Sequence, residues 1–205
     1  FIGNASHEIQ TPLAICQNRL EMLMEDETLS EQQMGEIAKT CQTLEYVSKL
    51  NKSLLLLSKI DNSQFASVEK VCLNEILYRY LDDYQEVYDY KGITLDVHEK
   101  NTFNITMNGT LAVVLITNLL KNAFVHNIYK GKIQIEITSS NIRFGNTGKD
   151  EHLDEKHIFE RFYQGSKKEG STGLGLAIVD AICRQSQLSI QYQFVKGWHW
   201  FDISC

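Results

Sequence analysis

The chain has 205 residues, 43% of them hydrophobic, and twenty Lys and Arg against twenty-six Asp and Glu give a net charge of −6. That composition supports a packed core and excludes a disordered chain or a broad basic face for gripping nucleic acid. The longest apolar run, Leu111–Ile116, falls far short of the roughly 18–20 residues of a membrane span. Five scattered cysteines without a CxxC pair (Cys16, Cys41, Cys72, Cys183, Cys205) argue against a zinc site or disulfide scaffold and for a reducing interior. With no initiator Met or signal peptide, and a start inside a helical pattern, the chain is expected to be part of something longer.

The only proline is Pro12, which favours long helices. Residues 1–27 read as one helix, with Ile2, Ser6, Ile9, Leu13, Cys16, Leu20 and Leu23 forming a heptad seam. Pro12 within it predicts a kink one turn after His7. Ser30 with Gln33 reads as a capping box for a second helix to about Ile60, whose stripe of Met34, Ile37, Cys41, Leu44, Val47, Leu50, Leu54 and Leu57 is broader than a two-helix seam requires. A lone hairpin buries each stripe on one side only. Two hairpins in a four-helix bundle bury the rest, which predicts a homodimer.

After a linker to about Glu69 the pattern changes. Helices are predicted at Leu73–Tyr84, Thr110–Asn127 and Gly173–Arg184. Strands are predicted at Ile93–Val97, Asn104–Met107, Ile133–Ile137, Ile142–Phe144, Leu188–Val195 and Trp198–Ile203. Asn108-Gly109, Ser139–Asn141 and Lys196-Gly197 read as turns, and Gly145 to about Thr172 as a polar, glycine-containing segment. The expected fold class is α+β: an N-terminal helical hairpin, residues 1–65, followed by a two-layer α/β sandwich with a mixed sheet, residues 70–205.

Four local features could carry chemistry. At about 100° per residue, His7 lies about 150° from the seam, with Glu8 beside it and Thr11 one turn on. A reachable imidazole flanked by a carboxylate suits nucleophilic catalysis, although a plain solvated face has the same pattern. Asn118 and Asn122 align one turn apart on an otherwise apolar helix. Buried amides need partners, which are either capping and core groups or a ligand such as phosphate-bridging Mg²⁺. Asn146-Thr147-Gly148 follows a strand, and its polar side chain could meet a base edge or simply form a turn. Gly170–Ile178 places Gly173-Leu174-Gly175 at a helix start, where backbone and dipole favour phosphate. It fits neither a Rossmann fingerprint nor a P-loop.

In this order the motifs resemble the sensor histidine kinases of bacterial two-component systems, over nearly the whole chain. Ser6–Pro12 is similar to the H box, Asn118–Ala123 to the N box and Asn146–Gly148 to the first glycine box. Phe159-Glu160-Arg161-Phe162-Tyr163 is similar to the F box, and Gly173-Leu174-Gly175 to the second glycine box. The resemblance implies a Bergerat-type ATP-binding sandwich with a lid near Gln164–Thr172. It makes His7 the phosphoacceptor, Glu8 its base and Thr11 the group that aligns water for dephosphorylating the partner. It makes Asn122 the Mg²⁺ ligand, and it places Asn118, His126, Asn146, Gly148, Phe159, Phe162, Thr172, Gly173, Leu174, Gly175 and Leu176 at the ATP site.

The implied activity is autophosphorylation from ATP, then transfer to an aspartate of a response regulator receiver domain. The implied setting is the cytoplasmic portion of a membrane-anchored bacterial protein. Three departures stand out. Gln10 and Val125 occupy positions where the family often has Arg or Lys, and Asn146 stands where an Asp usually takes the adenine amino group. The Asn146 and Val125 departures keep open an alternative, a catalytically impaired ATP-sensing dimer scaffold. An ATPase of the gyrase or chaperone branch is disfavoured by the H-box hairpin.

Overall fold

The computed structural model describes residues 2–26, 28–149, 151–165 and 171–205, with side chains from residue 8 onward. Helix α1 (Ile2–Met24) runs through Pro12, and α2 (Glu31–Asp61) returns along it. The capping box at the start of α2 forms as the sequence predicts. Gln33 N donates to Ser30 Oγ, and Ser30 N donates to Gln33 Oε1 at 2.9 Å.

The α1 seam divides in two. Leu13 and Leu20 are half-buried along with Gln10 and Gln17, while Ile9, Cys16 and Leu23 stay exposed, Leu23 to 50%. One hairpin therefore leaves a row of apolar side chains uncovered, as expected of a lone hairpin that buries each stripe on one side only.

At its far end α2 leaves the hairpin and joins the sandwich. Leu57 and Ile60 belong to the same hydrophobic core as the sandwich residues, and α2 packs on α5. The stretch after α2 is held down as well, since Asn108 Nδ2 donates to Ser67 O at 2.8 Å. It enters strand β1 (Glu69–Cys72), antiparallel to β3 (Asn104–Met107) in a small two-stranded sheet. The sequence reading missed β1, because four residues with one buried position carry no alternation.

The main sheet runs β2-β4-β5-β7-β6, built from β2 (Thr94–Glu99), β4 (Lys132–Ile137), β5 (Asn141–Thr147), β6 (Ser189–Val195) and β7 (Trp198–Ser204). Only β2 and β4 are parallel, so the sheet is mixed, as expected. Helices α3 (Leu73–Val87), α4 (Gly109–Val125) and α5 (Gly175–Gln185) pack side by side as the second layer. Their buried faces include Leu73, Ile76, Leu77 and Leu81 on α3, and Leu111, Leu115 and Leu119 on α4. Burying such residues is the main term that stabilises the sandwich, at roughly 1.5–3 kcal/mol per large apolar side chain.

Asn108 and Gly109 are not the expected turn. Asn108 is the N-cap of α4, its side chain accepting from Leu111 N at 3.2 Å, and Gly109 opens the helix. An unpaired helix N-terminus takes a side-chain acceptor readily, and that outcompetes a free turn here. Strand β5 also runs longer than predicted, to Thr147, which carries Asn146 into the sheet.

Candidate nucleotide-binding site

The site grows from strand alternation. On β5, Ile142, Phe144 and Asn146 share one face, and on β7 so do Ile203, Phe201 and His199. The first two of each set are core residues, so the third points to the same helix-covered side at the sheet's end. Asn146 and His199 are register partners across the two strands, 2% and 8% exposed. Above them a cavity of about 850 Å³ opens between the sheet, α4, the start of α5 and α2. That volume suits a small-molecule cofactor or nucleotide.

Polar side chains reach the cavity with part of their hydrogen-bonding capacity already committed. Asn146 Nδ2 donates to Thr147 O at 3.1 Å, and its Oδ1 has no hydrogen-bond partner among the described residues. The amide therefore presents an acceptor to anything entering. On α4, Asn118 Nδ2 donates to Val114 O at 2.8 Å. Its Oδ1 lies against Gly175 at the start of α5, where an added Cβ would sit 3.2 Å away. Asn122, one turn on, is half-buried and lines the same cavity, and its side chain has no hydrogen-bond partner among the described residues. Thr172, Gly173, Gly175 and Leu176 complete that wall, so the N-terminus of α5 faces the space. Such a terminus favours anions.

The charge lining agrees with this. Lys49, Lys52, Lys121 and Lys149 border the cavity against Glu151 among the described residues, in a chain whose net charge is −6. A basic cleft in an acidic protein concentrates polyanions.

His199 holds the floor. Its Nε2 lies 3.0 Å from Lys149 O and its Nδ1 2.8 Å from the Tyr192 hydroxyl, which in turn accepts from Leu153 N at 3.4 Å. With Nε2 protonated, the ring donates to Lys149 O and accepts from Tyr192. The relay ties the turn after β5 to the segment that leads to Ile158 and Tyr163. A Cβ on Gly148 would lie 2.7 Å from the His199 ring, so glycine is required for that close approach.

The sequence-predicted residues distribute unevenly. Asn118, Asn122, His126, Asn146, Thr172, Gly173, Gly175 and Leu176 all line the cavity. Four others do not. Gly148 lies behind it against His199, and Leu174 is fully buried as the residue before α5. Phe159 packs on the core and Phe162 is 56% exposed. From that aromatic pair's segment it is Ile158 and Tyr163 that reach the cavity. Phe162 acts through its backbone, donating from its N to Gly173 O at 2.9 Å and so anchoring the far side of the glycine turn.

Glu8 and Thr11 are exposed on α1, and no described α1 residue borders the cavity. The His7 side chain lies outside the described residues, as do residues 166–170 of the expected lid. The sequence reading did not anticipate Tyr88, His199 or the α2 lysines at this site. A histidine in a strand and lysines on a helical stripe carry no local mark of a cavity assembled from distant segments.

As for a divalent ion, no group of three or more His, Cys, Asp or Glu side chains could hold one among the described residues. Asn122 can offer an amide oxygen from the cavity wall. That fits Mg²⁺, which keeps most of its waters and binds through few protein ligands plus the nucleotide.

Comparison with known proteins bears on both halves of the chain. Residues 1–63 match the His Kinase A (phospho-acceptor) domain, and residues 107–198 match the histidine kinase-, DNA gyrase B- and HSP90-like ATPase family. The chain is 34% identical over 187 residues to the heme sensor protein HssS of Staphylococcus epidermidis, a match covering 89% of this chain and 41% of that protein. With HssS of Staphylococcus aureus strain Newman it shares 32% identity over 200 residues, 94% of this chain and 43% of that one. The chain thus spans about two fifths of the length of the curated relatives it matches.

Among solved structures, the Acinetobacter baumannii histidine kinase AdeS superposes with a TM-score of 0.64 at 21% identity, over 96% of this chain and 95% of that one. Full-length ShkA in complex with AMPPNP gives 0.72 at 18% identity, over 99% of this chain and 45% of that one. At such identities these likenesses establish the fold. With a phospho-acceptor hairpin and a histidine-kinase-type ATPase sandwich in family order, the chain belongs to the bacterial two-component sensor histidine kinases and carries their catalytic core.

Proposed function

We propose that this region is an ATP-dependent protein-histidine autokinase which phosphorylates His7 and passes the phosphoryl group to an aspartate on a response regulator receiver domain. The observation that carries the reading is the basic cavity of about 850 Å³, where Asn118, Asn122 and Asn146 converge with the N-terminus of α5.

In this reading adenine sits over Asn146, whose free Oδ1 accepts from the exocyclic amino group. The phosphates extend toward Asn122 and the α5 N-terminus. Mg²⁺ held by Asn122 and the phosphates would neutralise charge that builds on the transferring group. His7 Nε2 attacks the γ-phosphorus. A P–N bond forms as the bond to the bridging oxygen of ADP breaks, and Glu8 takes the ring proton. Thr11 then orients water to hydrolyse the phosphorylated regulator.

Glu8 and Thr11 stand exposed on α1, open to a docking partner. Ile9, Ile15, Met22, Leu23 and Met34 are exposed too, and they support a homodimer in which a second hairpin covers them. The same reading places this region on the cytoplasmic side of a membrane-anchored protein, where ATP and a receiver domain are both at hand. No helix among the described residues is itself long and apolar enough to cross a membrane.

The test is incubation with γ-labelled ATP and Mg²⁺. The expected product is acid-labile, base-stable label that disappears in His7→Ala and moves to an added receiver domain. Nucleotide binding without any phosphoenzyme would instead favour the ATP-sensing scaffold, for which Val125 in the cavity wall is the structural support.

A further inference from the structure

We propose, resting on the reading of the cavity as an ATP site, that Lys52 of the hairpin helix α2 supplies positive charge to the nucleotide's phosphates, so that hairpin and sandwich grip one ATP together. The cavity belongs to both domains. Lys49, Lys52 and Ser53 line it from α2, opposite Asn118 and Asn122 on α4. Their spacing of three and four residues puts them on one face of the helix.

On the sandwich side Lys121, exposed and one residue before Asn122, brings a cation to the α4 wall, and a lysine from α2 adds a second from the opposite side. Val125, three residues after Asn122, is a half-buried apolar lining residue, so α4 offers no cation there. The nearby Lys91 is committed, since its Nζ donates to Phe124 O at 2.8 Å and Val125 O at 3.0 Å. Lys149 follows Asn146 by three residues, at the base end of the cavity. On α2, Lys49 lies 3.8 Å from Glu45. The Lys52 side chain has no hydrogen-bond or ion-pair partner among the described residues, so its ammonium is the less committed of the two.

The location also suits the chemistry. Helices α1 and α2 run antiparallel with the same rise per residue, and counting back from Met24 and Glu31 puts the His7 backbone roughly level with Ser48. The stretch of α2 that enters the cavity therefore lies about one turn from the level of the phosphoacceptor. A phosphate chain held by Lys52 is delivered to the correct height along the hairpin. Because the lysine and Asn122 sit on different domains, ATP bound between them ties the sandwich to α2.

The experiment uses the whole 205-residue chain. Binding of ATP, ADP and adenosine is measured by calorimetry at two salt concentrations for wild type, Lys52→Met and Lys52→Arg. Lys52 is exposed, so neither substitution threatens folding, and circular dichroism checks this. Expected are ATP binding about tenfold weaker in Lys52→Met, adenosine binding unchanged, a smaller salt dependence for ATP, and near-native affinity in Lys52→Arg. Hydrogen exchange across residues 49–56 should slow on adding ATP in wild type and not in Lys52→Met. Unchanged ATP affinity in Lys52→Met, or an equal loss for ATP and adenosine, overturns the role of Lys52 while leaving the ATP site standing. A wild-type chain that binds no ATP overturns both.

Discussion

Arg161, in the turn between β5 and α5, donates to Asp61, the last residue of α2, at 2.6 Å. This ion pair joins the hairpin to the sandwich beside the apolar contact made by Leu57 and Ile60. Both side chains are about half exposed, so the pair orients the two domains more than it stabilises them. Arg161→Ala should lower stability by no more than about 1 kcal/mol in thermal denaturation. Amide exchange in residues 65–68 should nevertheless rise, because residues 62–64 bond back to the end of α2 whereas beyond them the stretch is held by the packing of Phe65 and by Asn108 on Ser67.

In the proposed reading Asn146 bears on base selection. Thr147 O takes one of its two Nδ2 hydrogens, and Oδ1 is left as an acceptor for the cavity. An acceptor suits the amino group of adenine and rejects the carbonyl of guanine. Asn146→Ala should weaken ATP binding by about 1–3 kcal/mol. The ATP-to-GTP affinity ratio should collapse toward one in the same titration.

Gly173 sits at φ +67°, and a Cβ there would meet Phe162 Cα and C at 2.8–2.9 Å. These are backbone atoms anchored by the Phe162 N to Gly173 O hydrogen bond and cannot swing aside. Gly173→Ala should cost about 1–3 kcal/mol of stability by thermal denaturation. ATP affinity should fall with it, because Thr172 and Gly175 flank the same turn in the cavity wall.

The turn leading to Ile158 carries a pH-dependent pair. His157 Nδ1 lies 2.6 Å from Asp154 Oδ2, and the hydrogen bond with Asp154 holds the imidazole's pKa above its ordinary 6.5. The same hydrogen bond, with one from Lys156 N, holds the Asp154 carboxyl below its ordinary 3.8. The imidazolium's contribution is complete below pH 6.5 and fades as pH rises through the raised value. The carboxylate's contribution is complete above 3.8 and fades as pH falls through the lowered one. The pair is therefore whole from about pH 4 to 6.5. An NMR titration of the His157 ring should give a midpoint above 6.5 that drops toward 6.5 in Asp154→Asn.

Cys183 is buried on α5, and desolvation pushes its thiol up to about 12. Cys16 and Cys205 are exposed. Iodoacetamide at neutral pH should alkylate those two rapidly and reach Cys183 only after denaturation, as mapped by peptide mass.

Much of this architecture was legible in linear order. The heptad stripes, the Ser30 capping box and the alternation of Ile133, Ile135 and Ile137 are local signals, and each produced the element it announced. The same locality limits what they say. Strand β1 exists because residues 69–72 meet residues 104–107, and nothing in four residues announces a partner so far along the chain. Phe159 and Phe162 carry the motif's aromatic signature, yet their neighbours Ile158 and Tyr163 reach the cavity. Which side chain of a turn faces inward is set by the backbone conformation, here φ +68° at Phe162.

By itself the sequence determined the kind of protein this is: a two-helix hairpin, a mixed α/β sandwich, and asparagines and glycines in the order that phosphate chemistry needs. It could do so because periodicity, caps and short motifs act over a few residues. Only the tertiary structure decided that Asn146 and His199 form one floor, that α2 lends Lys49 and Lys52 to the cavity, and that Asp61 meets Arg161. Those juxtapositions depend on how strands register and helices dock, and such long-range packing leaves no mark on neighbouring residues.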